Sequence, residues 1–113
     1  MSCLFCNIAK GAIPTTFVYE DESVVAFNDI HPQAPLHQII IPKKHIATLN
    51  DLSSEDEKLM GHLIVVAAKL ANDLKIADKG YRLVTNCNAD GGQTVFHIHI
   101  HLIGGRSLQW PPG

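Results

Sequence analysis

The chain has 113 residues, which is enough for one domain with a substantial hydrophobic core and too few for two. Hydrophobic residues make up 46% of the chain and charged residues 18%, as in a folded domain rather than a disordered one. The formal net charge is −2, and the one basic block is Lys43-Lys44. We therefore expect no binding to nucleic acid, while a small anionic ligand remains compatible with this charge.

The sequence carries no sign of a membrane span or a leader. The longest apolar run, residues 63–68, is far shorter than the roughly 20 residues that a span needs. The first six residues lack a basic stretch followed by an apolar core, so we expect no secretory signal. Three cysteines do not form a disulfide framework. Together these features predict a reducing, cytoplasmic location and no membrane partner.

Apolar periodicity and turn residues predict the following elements in chain order. A short helix covers 4–10, strands cover 17–20, 23–29 and 37–41, a long helix runs from 54 to about 75, and strands cover 81–87 and 95–103. Ser54 and Glu57 are spaced as a capping box at the start of the long helix. Its apolar stripe is Leu59, Leu63, Val66, Leu70 and Leu74. The pattern predicts a single α+β domain over 1–113, an antiparallel sheet against helices, with 110–113 as a surface tail.

Three of the seven histidines fall within five residues, as His97, His99 and His101. In an extended strand alternate side chains share one face, so these rings lie together. The opposite, core-facing side is then filled by Phe96, Ile98, Ile100 and Leu102. A row of three imidazoles is poor for stability, because each buried ring needs a hydrogen-bond partner and protonation brings like charges together. The pattern therefore favours a functional face over an ordinary polar one.

Two chemistries suit such a face. Imidazole is a common metal ligand, but three histidines along one strand supply at most part of a metal site. Alternatively, a neutral imidazole whose proton is held by a carbonyl presents its other nitrogen to phosphorus and forms a covalent intermediate. Flanking histidines then bind the phosphate or handle the proton of the leaving group. This second chemistry requires no metal.

The run His97-x-His99-x-His101 followed by Leu102-Ile103 resembles the signature of the histidine triad (HIT) superfamily. Other stretches are similar to its nucleotide-binding branch: Ile13-Pro14, Glu20-Asp21, Ala26-Phe27, Asp29-Ile30, Pro32-Gln33-Ala34-Pro35-Leu36-His37, Ile41-Pro42-Lys43-Lys44-His45-Ile46, Gly80-Tyr81-Arg82, Gly91-Gly92-Gln93 and Trp110-Pro111-Pro112-Gly113. The resemblance covers essentially the full length. It implies a five-stranded antiparallel sheet with a long helix and a short N-terminal helix, and a sheet that continues across a homodimer.

The resemblance also implies an activity, the hydrolysis of purine nucleoside 5′-phosphoramidates such as AMP-NH₂ or AMP-lysine. The products are a nucleoside monophosphate and an amine, formed through a nucleotidyl-histidine without any required cofactor. His99 is then the nucleophile, and the backbone carbonyl of His97 orients its ring. His101 and His37 contact the phosphate. Thr94 stands where many relatives carry serine, near the leaving nitrogen.

The resemblance further implies a nucleotide site. An ionised Asp29 suits the two ribose hydroxyls as an acceptor, and Trp110 matches a tryptophan that reaches the partner subunit's site. Asn86 matches a position near the phosphate. Backbone N–H groups of Gly92 and Gln93 suit the phosphoryl oxygens, although Gly91-Gly92 also fits a simple turn. The base pocket is matched by Leu4, Phe5, Ile8, Phe27, Asn28 and Ile30, whose largely apolar character predicts tolerance among purines.

The pair Cys3-x-x-Cys6 departs from many of these relatives. One such pair is half of a four-ligand zinc site. In other branches of the superfamily the zinc ligands are completed by two histidines whose positions here are His45 and His97. The resemblance thus implies a structural Zn²⁺ on Cys3, Cys6, His45 and His97. The alternative is a pair of small thiols buried in the N-terminal helix.

Two other functions stay open from the sequence. One is hydrolysis of a dinucleoside polyphosphate, as in another branch of the superfamily, and the other is a nucleotide- or zinc-dependent interaction module with incidental catalysis. Gly104-Gly105-Arg106 and the Trp-Pro-Pro-Gly ending favour the phosphoramidase. Among the remaining residues Cys87 is predicted to lie in the core and His62 on the surface of the long helix, and His31 has no assigned role.

Overall fold

The computed structural model describes residues 3–113 of the chain. The helices are α1 (Leu4–Ala9), α2 (Glu57–Asp73) and α3 (Asn88–Gly91), and the strands are β1 (Phe17–Glu20), β2 (Val24–Asn28), β3 (Leu36–Pro42), β4 (Tyr81–Val84) and β5 (Ile100–Gly104). Two 3₁₀ turns, Leu49–Asp51 and Ser54–Asp56, precede α2. The predicted α+β architecture, with a five-stranded antiparallel sheet, a long helix and a short N-terminal helix, is confirmed.

The five strands form one sheet in the order β1-β2-β3-β5-β4, and each neighbouring pair is antiparallel. The central strand β3 pairs with β5 so that Ile39 lies opposite His101 and His37 lies opposite Ile103. Since side chains alternate along a strand, His37, Ile39 and His101 share one face. This register brings two histidines that are distant in sequence to the same patch of the sheet.

Each face of the sheet buries its own hydrophobic cluster. Val24 and Ala26 of β2 pack with α2 on one face, while Val25 and Phe27 pack with α1 on the other. Both faces of β2 and β3 are therefore covered, which explains their nearly continuous apolar sequences. The histidines share the face that carries α1, and the larger cluster under α2 supplies the rigid support behind them.

Helix α2 lies on the sheet by the predicted apolar stripe. Leu63, Val66 and Leu70 are buried, and the stripe residues at the two ends are partly buried. The predicted capping box was wrong by one residue: Ser53, rather than Ser54, is capped by Asp56, whose carboxylate accepts from the Ser53 N–H at 3.0 Å. The reason is that the Asp56 carboxylate is buried and also accepts from the Lys44 ammonium at 2.7 Å, so it lies inside the turn.

The last two strands are shorter than predicted. Strand β4 ends at Val84, and the left-handed backbone of Asn88 (φ 59°) starts α3 instead. Cys87 is consequently half-buried beside that turn, so its predicted place in the core was wrong. Strand β5 begins at Ile100 rather than at residue 95. The alternation that was predicted for the whole histidine stretch therefore holds in regular strand geometry only from that point.

The segment before β5 bends, and the bend changes the position of Phe96. Its side chain is 49% exposed, so the prediction that it fills the core was wrong. The neighbouring Ile98 stays in the core, and its N–H donates to the Ile46 carbonyl at 2.7 Å. His97 is fully buried. The bend thus directs His97 inward and Phe96 outward.

Two features that the sequence predicts at the surface are tied down by hydrogen bonds. His62 on α2 is partly exposed, and its Nε2–H donates to the Asp21 carboxylate at 2.6 Å, which ties the helix to the β1–β2 turn. The tail from Trp110 onward is exposed as predicted, and the Arg82 guanidinium donates to the carbonyl of Gln109 just before it. Within residues 3–113, no helix is both long and apolar enough to cross a bilayer.

Candidate active site

A cavity of about 600 Å³ opens on the α1 face of the sheet. It brings together catalytic candidates from four different parts of the chain: His37 from β3, Thr94 from the loop after α3, His99 just before β5, and His101 within β5. The predicted nucleotide-binding residues that line it are Leu4, Phe5, Ile8, Phe27, Asn28, Asp29 and Ile30. Apolar walls from α1 and β2 therefore stand opposite a polar end formed by histidines.

His99 is buried and held in one orientation. Its Nδ1 lies 2.8 Å from the backbone carbonyl of His97, and the edge of its ring packs against Phe5 at 5.1 Å between centroids. A carbonyl oxygen can only accept, so Nδ1 carries the proton and Nε2 keeps its lone pair. The ring that lines the cavity is therefore a neutral imidazole with one basic nitrogen free for chemistry.

His37 and His101 form a second hydrogen-bonded unit. The N–H of Gln33 donates to Nδ1 of His37 at 3.0 Å, so the His37 proton must sit on Nε2. That Nε2 lies 2.9 Å from Nδ1 of His101 and 3.3 Å from Oδ2 of Asp29. His101 accepts through Nδ1 and consequently carries its own proton on Nε2. A proton donor thus lies on the ring next to that of His99, with 4.9 Å between the two centroids.

Burial favours the neutral form of His97, His99 and His101. Burial lowers the pKa of His99, and it lowers the pKa of His97 in the same way. Burial also lowers the pKa of His101 to about 4, and the charges that would develop on His99 and His37 add to the effect. The rings of His99 and His101 are 4.9 Å apart, so two protonated rings would repel each other. At neutral pH the site therefore offers a nucleophile rather than a row of cations.

The four predicted metal ligands converge behind this cavity. Their candidate donor atoms all lie within 4.8 Å of one another. His97 Nδ1 lies 3.4 Å from Cys3 Sγ, 3.5 Å from Cys6 Sγ and 3.2 Å from His45 Nδ1. Cys6 Sγ lies 3.4 Å from His45 Nδ1. A tetrahedral Zn²⁺ with two sulfur and two nitrogen ligands places its donor atoms about 3.3–3.8 Å apart. The separations found lie in or close to that range, so the residues fit the ion.

The position of the proton on His97 also fits a zinc ion at these four residues. Its Nε2 lies 2.7 Å from the carbonyl of Pro42, an acceptor that places the proton on Nε2 and leaves the Nδ1 lone pair directed at the two cysteines. Metal-bound histidines characteristically donate their second N–H to such a group. The backbone carbonyl of His97 meanwhile accepts from His99. One residue thus connects the cysteine and histidine cluster to the ring in the cavity.

Comparison with known proteins agrees with this arrangement. A family model described as the HIT domain matches residues 10–108. The chain belongs to the HIT-domain family. The match includes the whole sheet, α2 and the three alternating histidines, whereas α1 with Cys6, and Cys3 at its N-cap, lie outside it.

Individual relatives cover nearly the whole of this HIT protein. It is 52% identical over 105 residues to the purine nucleoside phosphoramidase of Escherichia coli K12, which covers 93% of this chain and 88% of the relative. It is 48% identical over 110 residues to an uncharacterised HIT-like protein of Synechocystis, covering 97% and 96%. A crystal structure of a HIT family hydrolase from Legionella pneumophila superposes with a TM-score of 0.97 at 55% identity, covering 99% and 100%.

Four predicted nucleotide-binding residues of this HIT protein lie outside the walls of the cavity. The amide of Gln93 is buried and holds the loop together: it donates to the Ala47 carbonyl at 2.8 Å and accepts from the Asn88 N–H at 2.9 Å. Gly92 ends α3 in a left-handed conformation (φ 82°) that favours glycine. The remaining two are Asn86 and Trp110. Their contacts with a nucleotide stay predictions.

The sequence did not single out Gln33, whose backbone N–H fixes the proton of His37. The Gln33 carbonyl in turn accepts from the Arg106 guanidinium at 3.0 Å, so the loop is anchored at both backbone groups. A backbone contact requires no particular side chain, and composition or spacing therefore gives no signal for it. The Pro and Ala residues around Gln33 indicate a turn, which is the one local feature that pointed here.

Proposed function

We propose that this HIT protein hydrolyses purine nucleoside 5′-phosphoramidates to a nucleoside 5′-monophosphate and an amine. The observation that carries the proposal is the hydrogen bond from His99 Nδ1–H to the His97 carbonyl, which leaves Nε2 as a free nucleophile inside the cavity. The substrate class is supported by the Escherichia coli relative, a purine nucleoside phosphoramidase at 52% identity.

In the first step, the lone pair of His99 Nε2 attacks the α-phosphorus. A P–Nε2 bond forms and the P–N bond to the amine breaks, with its electron pair staying on the leaving nitrogen. That nitrogen must gain a proton, because an amide anion is a very poor leaving group. His101 carries a proton on Nε2 beside His99, and the Thr94 hydroxyl lines the same cavity. Either group is suited to transfer the proton.

In the second step, water attacks the nucleotidyl-histidine at phosphorus. The P–Nε2 bond breaks, the nucleoside monophosphate leaves, and His99 returns to its neutral form. The proton of the attacking water passes to the base left by the first step, so the cycle closes without a net change in the protein. Neither step uses a metal or a cofactor.

The nucleotide is held by the apolar walls and by Asp29. Phe5 and Phe27 pack edge to face, with centroids 5.7 Å apart, and form an apolar boundary that suits a purine base without reading its edges. One Asp29 oxygen accepts from the His31 N–H at 2.8 Å, and lone pairs of the carboxylate remain for ribose hydroxyls. We accordingly expect AMP and GMP derivatives to be accepted alike.

Substitution of His99 tests the proposal. The His99→Ala protein should still bind AMP but lose phosphoramidate hydrolysis by roughly 10³-fold or more, since the covalent route is closed. Rapid-quench mass spectrometry of the wild type should show a peptide carrying AMP on His99. His62→Ala, on the opposite face of the sheet, is the matched control. The proposal fails if product accumulates at full rate without the modified peptide, or if diadenosine tetraphosphate gives the higher kcat/KM.

We also propose that Cys3, Cys6, His45 and His97 hold a structural Zn²⁺. The ligand separations and the proton on His97 Nε2 support it. The ion would supply fixed tetrahedral bonds that hold α1 beside the sheet, while His99 carries out the chemistry. Both thiols must stay reduced for this role, which is consistent with the predicted cytoplasmic location.

We propose, finally, that the protein is a homodimer in which β4 pairs with β4 of a second copy. Strand β4 is an edge of the sheet, and Val65 of α2 is 64% exposed. The hydrogen bond from Arg82 to the Gln109 carbonyl holds the tail against β4, which would direct Trp110 toward the second copy. Sedimentation should give a dimer, and Val65→Glu should shift it toward the monomer.

A further inference from the structure

A cavity of about 610 Å³ lies at the end of the sheet where β4 begins and β5 ends. The loop from α2 to β4 forms one wall and the loop after β5 forms the other. The lining residues are Lys75, Ile76, Lys79, Gly80, Gly105, Arg106 and Ser107. We call this space the basic cavity. It shares no lining residue with the cavity that contains His99, so the proposed reaction gives it no role.

The basic cavity concentrates positive charge in a chain whose net charge is negative. Three of the nine basic residues line it, and among residues 3–113 no acidic residue does. Within that range Lys75, Lys79 and Arg106 form no ion pair, although three other lysines do. Asp78 belongs to the same loop but is not part of the lining. A concave surface that carries cations without neutralising acids attracts anions.

Lys75 adopts a backbone conformation that ordinarily selects glycine. Its φ is 63°, in the left-handed region. The Lys75 N–H donates to the Asn72 carbonyl at 3.0 Å and the Ile76 N–H to the Ala71 carbonyl at 3.1 Å, the pair of bonds with which a helix end is closed. Glycine is the usual residue at this position because a Cβ atom there is strained. The turn therefore does not explain the lysine, and its side chain has to.

An ammonium group also suits the negative end of the α2 dipole, so Lys75 by itself does not indicate a ligand. What indicates one is that Lys79 and Arg106 meet it at a single cavity. The three cations outweigh the partial charge of about −0.5 at a helix end. The potential in the basic cavity is therefore positive, and it favours an anion with several charges over one with a single charge.

The guanidinium of Arg106 is already fixed in position. It donates to the Ser107 carbonyl at 3.1 Å and to the Gln33 carbonyl at 3.0 Å. These bonds use two of the five N–H groups of a guanidinium, so three remain for a ligand. A guanidinium held in this way binds phosphate oxygens with little further ordering. The Ser107 hydroxyl lines the same cavity as an additional donor.

We propose that the basic cavity binds a short polyphosphate chain, either inorganic or carried by a nucleotide. The proposal does not depend on the proposed phosphoramidase activity. Two ammonium groups and one guanidinium on opposite walls suit oxygens from successive phosphates of one chain. Apart from Ile76, the lining offers no large apolar or aromatic side chain against which a base could pack. The phosphate chain, rather than a nucleoside, is therefore the part that is recognised.

A ¹⁵N–¹H NMR titration of the full-length protein with sodium tripolyphosphate tests the proposal. The titration is run at constant ionic strength with saturating AMP, which occupies the cavity around His99. We expect the amide signals of residues 75–80 and 105–107 to shift, and those of the residues around His99 to stay in place. Inorganic monophosphate should bind at least roughly 10-fold more weakly, because it cannot reach all three cations.

Lys75→Gly removes a charge and at the same time relieves the left-handed backbone. We expect it to raise the Kd for tripolyphosphate roughly 5- to 10-fold, while the Tm stays close to wild type. Lys79→Ala should raise the Kd by a similar factor, and Lys75→Arg, which keeps the charge, should stay within about twofold. Lys58→Ala removes the same charge from an exposed position at the start of α2 and is the matched control. It should leave the Kd unchanged.

ATP distinguishes the two sources of the chain. If ATP binds the basic cavity as tightly as tripolyphosphate or more weakly, a free chain is the ligand, and if ATP binds more tightly, the chain is carried by a nucleotide. Both results support the proposal when Lys75→Gly weakens binding. The proposal is wrong if tripolyphosphate shifts no amide of the basic cavity, or if Lys75→Gly and Lys79→Ala keep the wild-type Kd. Equal losses in Lys58→Ala would also overturn it, because the attraction would then be to charge in general.

Discussion

His37 and His101 share one hydrogen bond, with 2.9 Å between His37 Nε2 and His101 Nδ1, although 64 residues separate them along the chain. The N–H of Gln33 occupies the other nitrogen of His37, so the direction of the bond is fixed: His37 donates and His101 accepts. His101 can accept only while it is neutral. The arrangement of protons in the site therefore depends on pH through His101.

We predict that the free energy of unfolding depends on pH through His101. Burial lowers the pKa of His101 to about 4 in the folded protein, against about 6.5 for an exposed imidazole. Because the folded pKa is the lower one, the stabilisation is complete above pH 6.5 and is lost as the pH falls toward 4. The free energy of unfolding should decrease over this window, with roughly 2 kcal/mol of the decrease due to His101.

The His101→Gln variant isolates that contribution. Glutamine keeps an acceptor near His37 but does not titrate, so the variant should lose correspondingly less stability between pH 7.5 and pH 4.5 than the wild type does. Urea unfolding at several pH values gives both curves. Parallel curves for the two proteins would show that His101 is not held neutral by the fold.

The Gln33 backbone gives a second prediction. Gln33→Pro removes the N–H that donates to His37, so the proton of His37 is no longer confined to Nε2. We expect kcat for phosphoramidate hydrolysis to fall roughly 5- to 30-fold, as for the loss of one hydrogen bond to a buried side chain. Gln33→Ala retains the N–H and should keep kcat within about twofold. Equal losses in the two variants would assign the effect to the side chain instead.

The placement of the histidines was largely predictable because it follows from periodicity. Alternation from Ile98 to Leu102 assigns one side to the core and the other to His99 and His101, and the structure agrees. The stripe of α2 follows a period near 3.6 in the same way. Where regular geometry decides which side chains meet, the sequence is informative.

The remaining features depend on contacts between distant segments. The bend that exposes Phe96 is tied to the Ile98 N–H on the Ile46 carbonyl and to the inward position of His97. A residue pattern with perfect alternation does not reveal that its first part leaves the strand. The role of Gln33 is carried by its backbone, which sequence does not encode by residue type. Both the bend at Phe96 and the role of Gln33 depend on hydrogen bonds between segments that are distant in sequence.

The zinc site gives a third prediction. Cys3→Ser and Cys6→Ser should each abolish stoichiometric zinc in protein purified without a histidine tag, because the hydroxyl is a far weaker ligand than thiolate. Loss of the ion releases α1 from the sheet and should lower the Tm by several degrees. Metal analysis by inductively coupled plasma mass spectrometry and a thermal melt measure the two effects.

Cys87→Ser is the matched control for those variants, since Cys87 is half-buried beside α3 and lies away from the four ligands. It should retain the full zinc content. Equal zinc content in Cys3→Ser, Cys6→Ser and Cys87→Ser would remove the proposed site. Zinc-free wild-type protein that melts at the same temperature as the loaded form would show that an ion at these ligands has no structural role.

The Asp21–His62 pair gives the last prediction. Although partial burial acts to raise it, the pKa of Asp21 is held well below its usual range by hydrogen bonds from His62, Tyr19 and two backbone N–H groups. The stabilisation is therefore present above about pH 4 and is lost as the pH falls below it. His62→Ala should reduce the free energy of unfolding at pH 7 by about 0.5 kcal/mol, a modest value because solvent reaches both side chains. The pKa of Asp21, followed by carboxyl NMR, should rise toward its usual value in His62→Ala, because one of the hydrogen bonds that lower it is lost. His31→Ala, exposed in the loop after β2, should show neither effect. An unchanged pKa of Asp21 in a destabilised His62→Ala protein would mean that His62 stabilises α2 by packing rather than through the Asp21 carboxylate.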